Sequence, residues 1–235
     1  MNYRNRHVVV TGGTGALGTA VVGALIEAGA QVHVPYMNPA EGKRFTYRNH
    51  GQVKLLTVSN LADEAEVARL YDSVPELWAS IQLAGGFAMA TIADTKKADL
   101  MLQLETNLVT TFLCCRNAAK IIARASKGGR IVNTGARPGL EWRDGAGMSA
   151  YAASKAAVMA LTAALAEELA KSDILVNAVV PSIMDTPGNR AAMPKADHAS
   201  WPKVEEVAAT ILFLASPENR VTRGAMVPVY GRSSK

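Results

Sequence analysis

The chain has little cysteine. Its two residues, Cys114 and Cys115, are adjacent among 235. Such a pair builds no disulfide framework, and no cysteine-based zinc site follows from it. The four histidines, His7, His33, His50 and His198, are scattered without metal-ligand spacing, so no catalytic metal is expected. No run of eighteen uninterrupted apolar residues occurs, which argues against a transmembrane span. The opening Met1-Asn2-Tyr3-Arg4 leads straight into a strand-like run and lacks the apolar stretch of a signal peptide. The expected compartment is the cytoplasm. Charged residues make up only 19%, with a net charge of +5. The basic ones are dispersed and form no aromatic-interleaved stripe, so neither nucleic acid nor a membrane is an expected partner. A modest positive charge does suit an anionic ligand such as a dinucleotide.

Linkers, low-complexity tracts and internal repeats are missing as well, so residues 1–235 read as one domain. Hydrophobic residues make up 49%, enough for one sizeable core. Strand-like runs at 7–11, 31–34, 53–58, 79–84, 130–133, 174–179 and 225–229 alternate with helical stretches at 16–28, 63–71, 100–125, 150–170 and 204–215. The strands are short and apolar on both faces, the pattern of a parallel sheet covered by helices. The expected fold is therefore α/β, a single-domain, doubly wound, Rossmann-like parallel sheet with helices on both faces. Residues 35–52 read as polar and irregular. Residues 182–202 form an irregular, proline-bearing segment that could cover a substrate.

Between the first strand and the first helix lies Thr11-Gly12-Gly13-Thr14-Gly15-Ala16-Leu17-Gly18. Glycine permits positive φ in a tight turn and lets backbone approach a pyrophosphate. The helix start adds free N–H groups and the positive end of its dipole. No Gly-Lys-Ser/Thr ends the loop, which excludes a nucleoside-triphosphatase P-loop. Gly12, Thr14, Gly15, Leu17 and Gly18 are thus candidate dinucleotide contacts. An NAD site normally carries an acid near the end of the second strand. Here that stretch is Val34-Pro35-Tyr36-Met37-Asn38, and the first acid is Glu41. Without a carboxylate a 2′-phosphate meets no repulsion, and Lys43 and Arg44 could pair with it. The same two cations could equally be solvated loop residues. NADP(H) is the favoured coenzyme, with NAD(H) as the alternative.

Tyr151 and Lys155 stand four apart on a helix and share a face. A phenol is a poor acid or base at pH 7 unless its surroundings shift it. A neighbouring ammonium and a coenzyme cation should favour the phenolate and lower its pKa. Such a tyrosine could donate a proton to a carbonyl oxygen as hydride arrives, or accept one in reverse.

Together TGGTGALG (11–18), AGG (84–86), ETNLVTTF (105–112), GGRIVN (128–133), YAASK (151–155) and NAVVPSIMDT (177–186) resemble the short-chain dehydrogenase/reductase family over nearly the whole chain. That resemblance implies a catalytic Asn107, holding a proton-relay water through a local opening of its helix. It implies that Lys155 also fixes the nicotinamide ribose. Ala84, Gly85 and Gly86 would line the coenzyme, with Asn60 on its adenine side. Pro181 and Ile183 would lie beside the nicotinamide, and Thr186 near its carboxamide. It further implies a homo-oligomer, tetramer or dimer, built partly from the helices at 100–125 and 151–170.

The departures are specific. Ala16 stands where a glycine is usual, and Gln82-Leu83 replaces an Asn-Asn pair. Ala136 occupies the catalytic serine's place and cannot donate a hydrogen bond. Thr134 is an imperfect substitute, and Ser149 reads as a helix cap. The chain is locally similar to the dihydropteridine reductase family in Ala84-Gly85-Gly86-Phe87, in Gly135-Ala136, and most closely in 185–197 followed by Ser200-Trp201. The expected reaction is hydride transfer from NAD(P)H to an activated C=N or C=O of a small, planar substrate such as a dihydropterin. Phe87 and Trp142 could stack on a flat ring, or simply pack. Arg190 could bind a polar substrate group, or only pair with Asp185. A conventional alcohol dehydrogenase or ketoreductase, with Thr134 or a water in the serine's role, is the first alternative. A non-catalytic dinucleotide sensor or scaffold is the second.

Overall fold

The structure is a computed structural model that describes residues 1–233. Seven strands form one sheet in the order β3-β2-β1-β4-β5-β6-β7. They are β1 (His7–Thr11), β2 (Gln31–Tyr36), β3 (Val53–Thr57), β4 (Leu77–Gln82), β5 (Gly129–Thr134), β6 (Ile174–Pro181) and β7 (Met226–Val229). Every pairing is parallel. Alternation along the strands explains the two-sided burial. Val8 and Val10 join one core with α1 (Ala16–Glu27) and α9 (Val204–Ala215). Val9 faces the other core, beneath α3 (Glu64–Asp72), α5 (Thr110–Ala125) and α7 (Ser149–Glu168). The doubly wound α/β expectation is what the chain adopts.

Three regions depart from the sequence reading. The stretch 35–52 is not wholly irregular, because α2 (Pro39–Arg44) lies in it. Asn38 caps that helix by accepting from the Ala40 N–H at 2.9 Å, and Pro39 sets its first φ. The helix expected at 100–125 begins earlier and is interrupted: α4 (Lys97–Gln103), a π-helical turn at Leu104–Val109, then α5. A short α6 (Arg137–Leu140) follows β5. The segment 182–202 carries α8 (Pro187–Ala192) and a 3-10 turn at His198–Ser200.

The crevice lies where the chain reverses its direction of winding, between β1 and β4. In open α/β sheets ligands bind at the carboxyl ends of strands beside such a point. The glycine turn follows β1, and Ala84-Gly85-Gly86 follows β4.

Candidate active site

The glycine turn is built by backbone meeting backbone. Gly12 has φ +65°, and a Cβ there would come within 2.8 Å of the Leu83 carbonyl carbon and the Ala84 nitrogen. A Cβ on Gly18 would stand 2.2 Å from the Gly12 oxygen. Gly15, the N-cap of α1, contributes no side chain to the first N–H groups of the helix. An uncovered helix start beneath a thin turn fits a dinucleotide pyrophosphate. Thr14 donates its hydroxyl to Glu41 Oε2 at 3.1 Å, tying the turn to α2. This carboxylate at the turn's mouth is a contact the sequence reading missed. Lys43 and Arg44 close α2, and Arg44 Nε donates to the Ala40 carbonyl at 3.3 Å. Tyr36 ends β2 and accepts from the Thr57 hydroxyl at 2.9 Å. In the loop after β3, Asn60 Oδ1 accepts from the Ala62 N–H at 2.8 Å, and the Asn60 N–H donates to Glu66 Oε2 at 2.7 Å.

Asn107 sits fully buried in the π turn. Its Oδ1 accepts from the Gly86 N–H at 2.9 Å, and its Nδ2 donates back to the Gly86 carbonyl at 3.0 Å. Nδ2 also donates to Ser154 Oγ at 3.0 Å, and Ser154 Oγ donates to the Tyr151 carbonyl at 2.7 Å. The asparagine thereby joins the loop after β4 to the helix carrying Tyr151. The local helix opening expected at Asn107 is present as this π turn. Ser154 and Gln103, whose Oε1 accepts from Asn107 Nδ2 at 3.3 Å, belong to the site although sequence reasoning missed them. The spacing of Ser154 from Tyr151 on one helix was the signal for the first.

Lys155 is 7% exposed, and its Nζ donates to the Thr134 carbonyl at 2.9 Å. Burial lowers its pKa to about 8. A Cβ on Gly85 would stand 2.6 Å from Asn107 Oδ1 and 3.4 Å from Lys155 Nζ, so these groups converge. A Cβ on Gly139 of α6 would stand 2.9 Å from the Lys155 carbonyl carbon and the Ala156 nitrogen, so α6 packs closely on this stretch of α7. The expectation of a lowered Tyr151 pKa joins the Lys155 ammonium to a coenzyme cation, and the chain alone supplies only the first. Burial pushes the phenol up to about 12. The physical reason is that loss of water around the phenol dominates, while the ammonium is directed at the Thr134 carbonyl.

Phe87 is 60% exposed and meets the Tyr151 ring edge-on, with centroids 4.9 Å apart. Trp142 is not brought to that ring. It is 79% exposed and borders an apolar groove with Leu140, Ala156, Ala160 and Met226, on the β7 side of α7. Arg190 is engaged within its own segment, Nε donating to Asp185 Oδ1 at 2.5 Å and Nη2 to Asp185 Oδ2 at 2.8 Å. Of its two sequence readings, the structure builds the loop-organising one. Thr186 caps α8, its Oγ1 accepting from the Asn189 N–H at 3.2 Å. Pro181 ends β6 at the crest, and Ile183 just beyond is 40% exposed. Ala136 is buried without a donor, as its side chain dictates. Among the described residues, no group of three or more His, Cys, Asp or Glu converges on a metal-sized site. The helix α7 has the length and apolarity of a membrane span, yet it buries Ser154, Lys155 and Thr162 against the fold.

Comparison with known proteins matches this architecture. The short chain dehydrogenase family model covers residues 6–197. A galactitol 2-dehydrogenase of Rhizobium johnstonii is 34% identical, over 94% of this chain and 92% of that protein. A 3-oxoacyl-[acyl-carrier-protein] reductase of Rattus norvegicus is 30% identical over 75% of each chain. A solved oxidoreductase of Burkholderia thailandensis superposes with a TM-score of 0.87 at 26% identity, covering 96% of this chain and 91% of that one. The chain belongs to the short-chain dehydrogenase/reductase family and is an NAD(P)-dependent oxidoreductase acting on small organic molecules.

Proposed function

We propose that the chain is an NADP(H)-linked ketoreductase or alcohol dehydrogenase, with Tyr151 as the only side-chain donor to the reacting oxygen. The observation that carries this reading is the placement of Tyr151. Its ring is held edge-on by Phe87 at the open crest, and its backbone is tied through Ser154 to Asn107, beside the buried Lys155. The two named relatives, a galactitol 2-dehydrogenase and a 3-oxoacyl reductase, support interconversion of C–OH and C=O.

The bound coenzyme supplies or removes the hydride. Everything else is the work of the chain. A phenol held protonated by its surroundings is set to give its proton to a developing alkoxide, a far stronger base than phenolate. Lys155 places a cation at the foot of the site, and Asn107 locks the loop after β4 to α7. Ala136 removes the usual second donor, and losing one such donor typically costs about 3 kcal/mol of barrier. A water in the serine's place and a carbonyl already activated by conjugation together offset that loss. Phe87 favours a substrate with a flat or apolar body.

NADP(H) is favoured because Tyr36, not an acid, ends β2. Glu41 at the turn opposes a 2′-phosphate and narrows that preference. The exposed Phe112 on α5 and the alanine-rich outer face of α7 support a homo-oligomer, tetramer or dimer, which light scattering on the purified chain would test.

The decisive experiment titrates NADPH and NADH, then offers diketones, quinones and quinonoid dihydropterin to wild type and Tyr151→Phe. The pterin is included because 84–87 and 185–197 resemble enzymes that reduce it. We expect tighter NADPH than NADH binding, turnover of an activated carbonyl, and at least a tenfold loss of rate in Tyr151→Phe with coenzyme binding intact. Turnover of the pterin alone would replace C=O by C=N as the target. Binding without turnover across the panel would make the chain a sensor. An undiminished Tyr151→Phe rate would remove the tyrosine from the chemistry.

A further inference from the structure

The buried threonine hydroxyls of this fold find partners: that of Thr11, on β1, donates to Gln82 Oε1 at 3.1 Å. Those of Thr110, Thr111 and Thr162 each donate to a main-chain carbonyl one turn back, at 3.1, 2.7 and 2.8 Å. Thr134 is the exception. It is the last residue of β5, and its Oγ1 is shielded from water with no hydrogen-bond partner among the described residues. A buried hydroxyl left unbonded is unfavourable, and an exception of this kind calls for a physical cause.

Strand alternation gives the direction of this side chain. Asn133 faces the α7 core, donating to the Thr162 hydroxyl at 2.9 Å, and Val132 belongs to the core shared with α1. Thr134 alternates with Asn133 and therefore projects toward the α1 face, the face whose crest holds the glycine turn. Its own carbonyl receives the Lys155 ammonium. The residue keeps some exposed surface although its hydroxyl oxygen is covered. Rotation about Cα–Cβ exchanges hydroxyl and methyl without moving the backbone. One short rotation can thus carry an unbonded donor from a covered position into the crevice.

We propose that Thr134 is a coenzyme-contact residue whose hydroxyl, unbonded in the free chain, hydrogen-bonds the nicotinamide-riboside half of the dinucleotide. That half is selected because β5 lies two strands beyond the glycine turn, and because the Thr134 carbonyl anchors Lys155. The inference rests on the crevice being a dinucleotide site. It assigns Thr134 to the coenzyme and not to the serine's role toward substrate. It also fixes opposite signs for two measurements. Valine has the same shape and leaves no polar group unbonded, so it should hold the free chain at least as stable as threonine does. The same change deletes a bond made only in the loaded state.

The test compares wild type, Thr134→Val and Thr134→Ser by fluorescence titration with NADPH and by thermal melting without coenzyme. For Thr134→Val we expect an unlowered or raised Tm and a Kd for NADPH about tenfold weaker. Thr134→Ser should bind within about twofold of wild type, since it keeps the hydroxyl. Unchanged NADPH affinity in Thr134→Val overturns the proposal, including the case in which turnover alone falls and the hydroxyl serves substrate. Equal weakening in both variants also overturns it, because shape and not hydrogen bonding would then be at stake. Failure of wild type to bind either coenzyme would instead sink the dinucleotide reading, and this inference with it.

Discussion

Lys155 should make the free chain less stable than it could be. The residue is 7% exposed, and among the described residues its ammonium has one hydrogen-bond partner, the Thr134 carbonyl, and no carboxylate. Burial lowers its pKa from 10.5 to about 8. The unfolded chain therefore binds the proton more tightly than the folded one, and folding at pH 7 carries a penalty. At 1.36 kcal/mol per unit the shift amounts to about 3 kcal/mol. Replacing Lys155 by Met keeps length and volume while removing the charge, at the loss of one hydrogen bond of about 1 kcal/mol. Lys155→Met should then be more stable than wild type by about 2 kcal/mol in urea unfolding at pH 7. The sign with pH follows from the lowered folded pKa. Wild-type stability should rise between pH 8 and 10.5 as the native lysine gives up its proton. The penalty should shrink to about 1 kcal/mol by pH 9.5, so the advantage of the variant should vanish there. Other groups titrate alike in both proteins and cancel. A variant less stable than wild type at pH 7, or an advantage independent of pH, would refute the reasoning. Coenzyme-dependent turnover should be lost in either case.

Gly18→Ala should weaken NADPH binding at least tenfold, because its Cβ would stand 2.2 Å from the Gly12 oxygen and only backbone could yield; fluorescence titration measures this, and wild-type affinity would contradict it. The chain should also be acid-labile through His33, which is 4% exposed and whose Nε2 lies 2.9 Å from His7 Nδ1. Burial, then His7 and Lys54, lower its pKa to about 4, so the unfolded chain binds the proton first and stability should fall by about 2–3 kcal/mol from pH 7.5 to 4.5. In urea unfolding over that range His33→Gln should lose correspondingly less; an identical pH slope would place the acid sensitivity elsewhere.

What could be read from sequence was what local chemistry determines. Strand and helix alternate because short β-branched runs and alanine-rich stretches signal their own periods, and the glycine turn declares itself by φ and close approach. Asn107 could be marked because its surrounding motif is distinctive. The α2 helix was legible in principle, with Asn38 and Pro39 forming a cap and first position, but its polar residues lack an apolar period. Other features depend on what lies across the fold. Glu41 reaches Thr14 over 27 positions, and Ser154 meets Asn107 over 47. The side on which Trp142 lies depends on the path of α6 and on the groove beside β7. The direction of the Tyr151 pKa is of the same kind. Four-residue spacing places Lys155 on its helix face, but only the packed structure shows the ammonium turned toward β5 and the burial that raises the phenol's pKa.

These features bear on the choice between an enzyme and a binder. Among the described residues the Lys155 ammonium has a carbonyl but no carboxylate for a partner and the Thr134 hydroxyl has none; both are unfavourable in the free chain, and both stand at the crest of β5. Either could be relieved by one substitution to an apolar residue of similar shape, so a scaffold that held no ligand would gain by losing them. Ligand binding accounts for both. It does not account for Tyr151. The Tyr151 ring packs on Phe87 as a phenylalanine's would, so what its hydroxyl adds is a donor that burial keeps protonated. A protonated donor of this kind suits the proposed chemistry, in which a neighbouring oxygen becomes basic as a hydride arrives beside it.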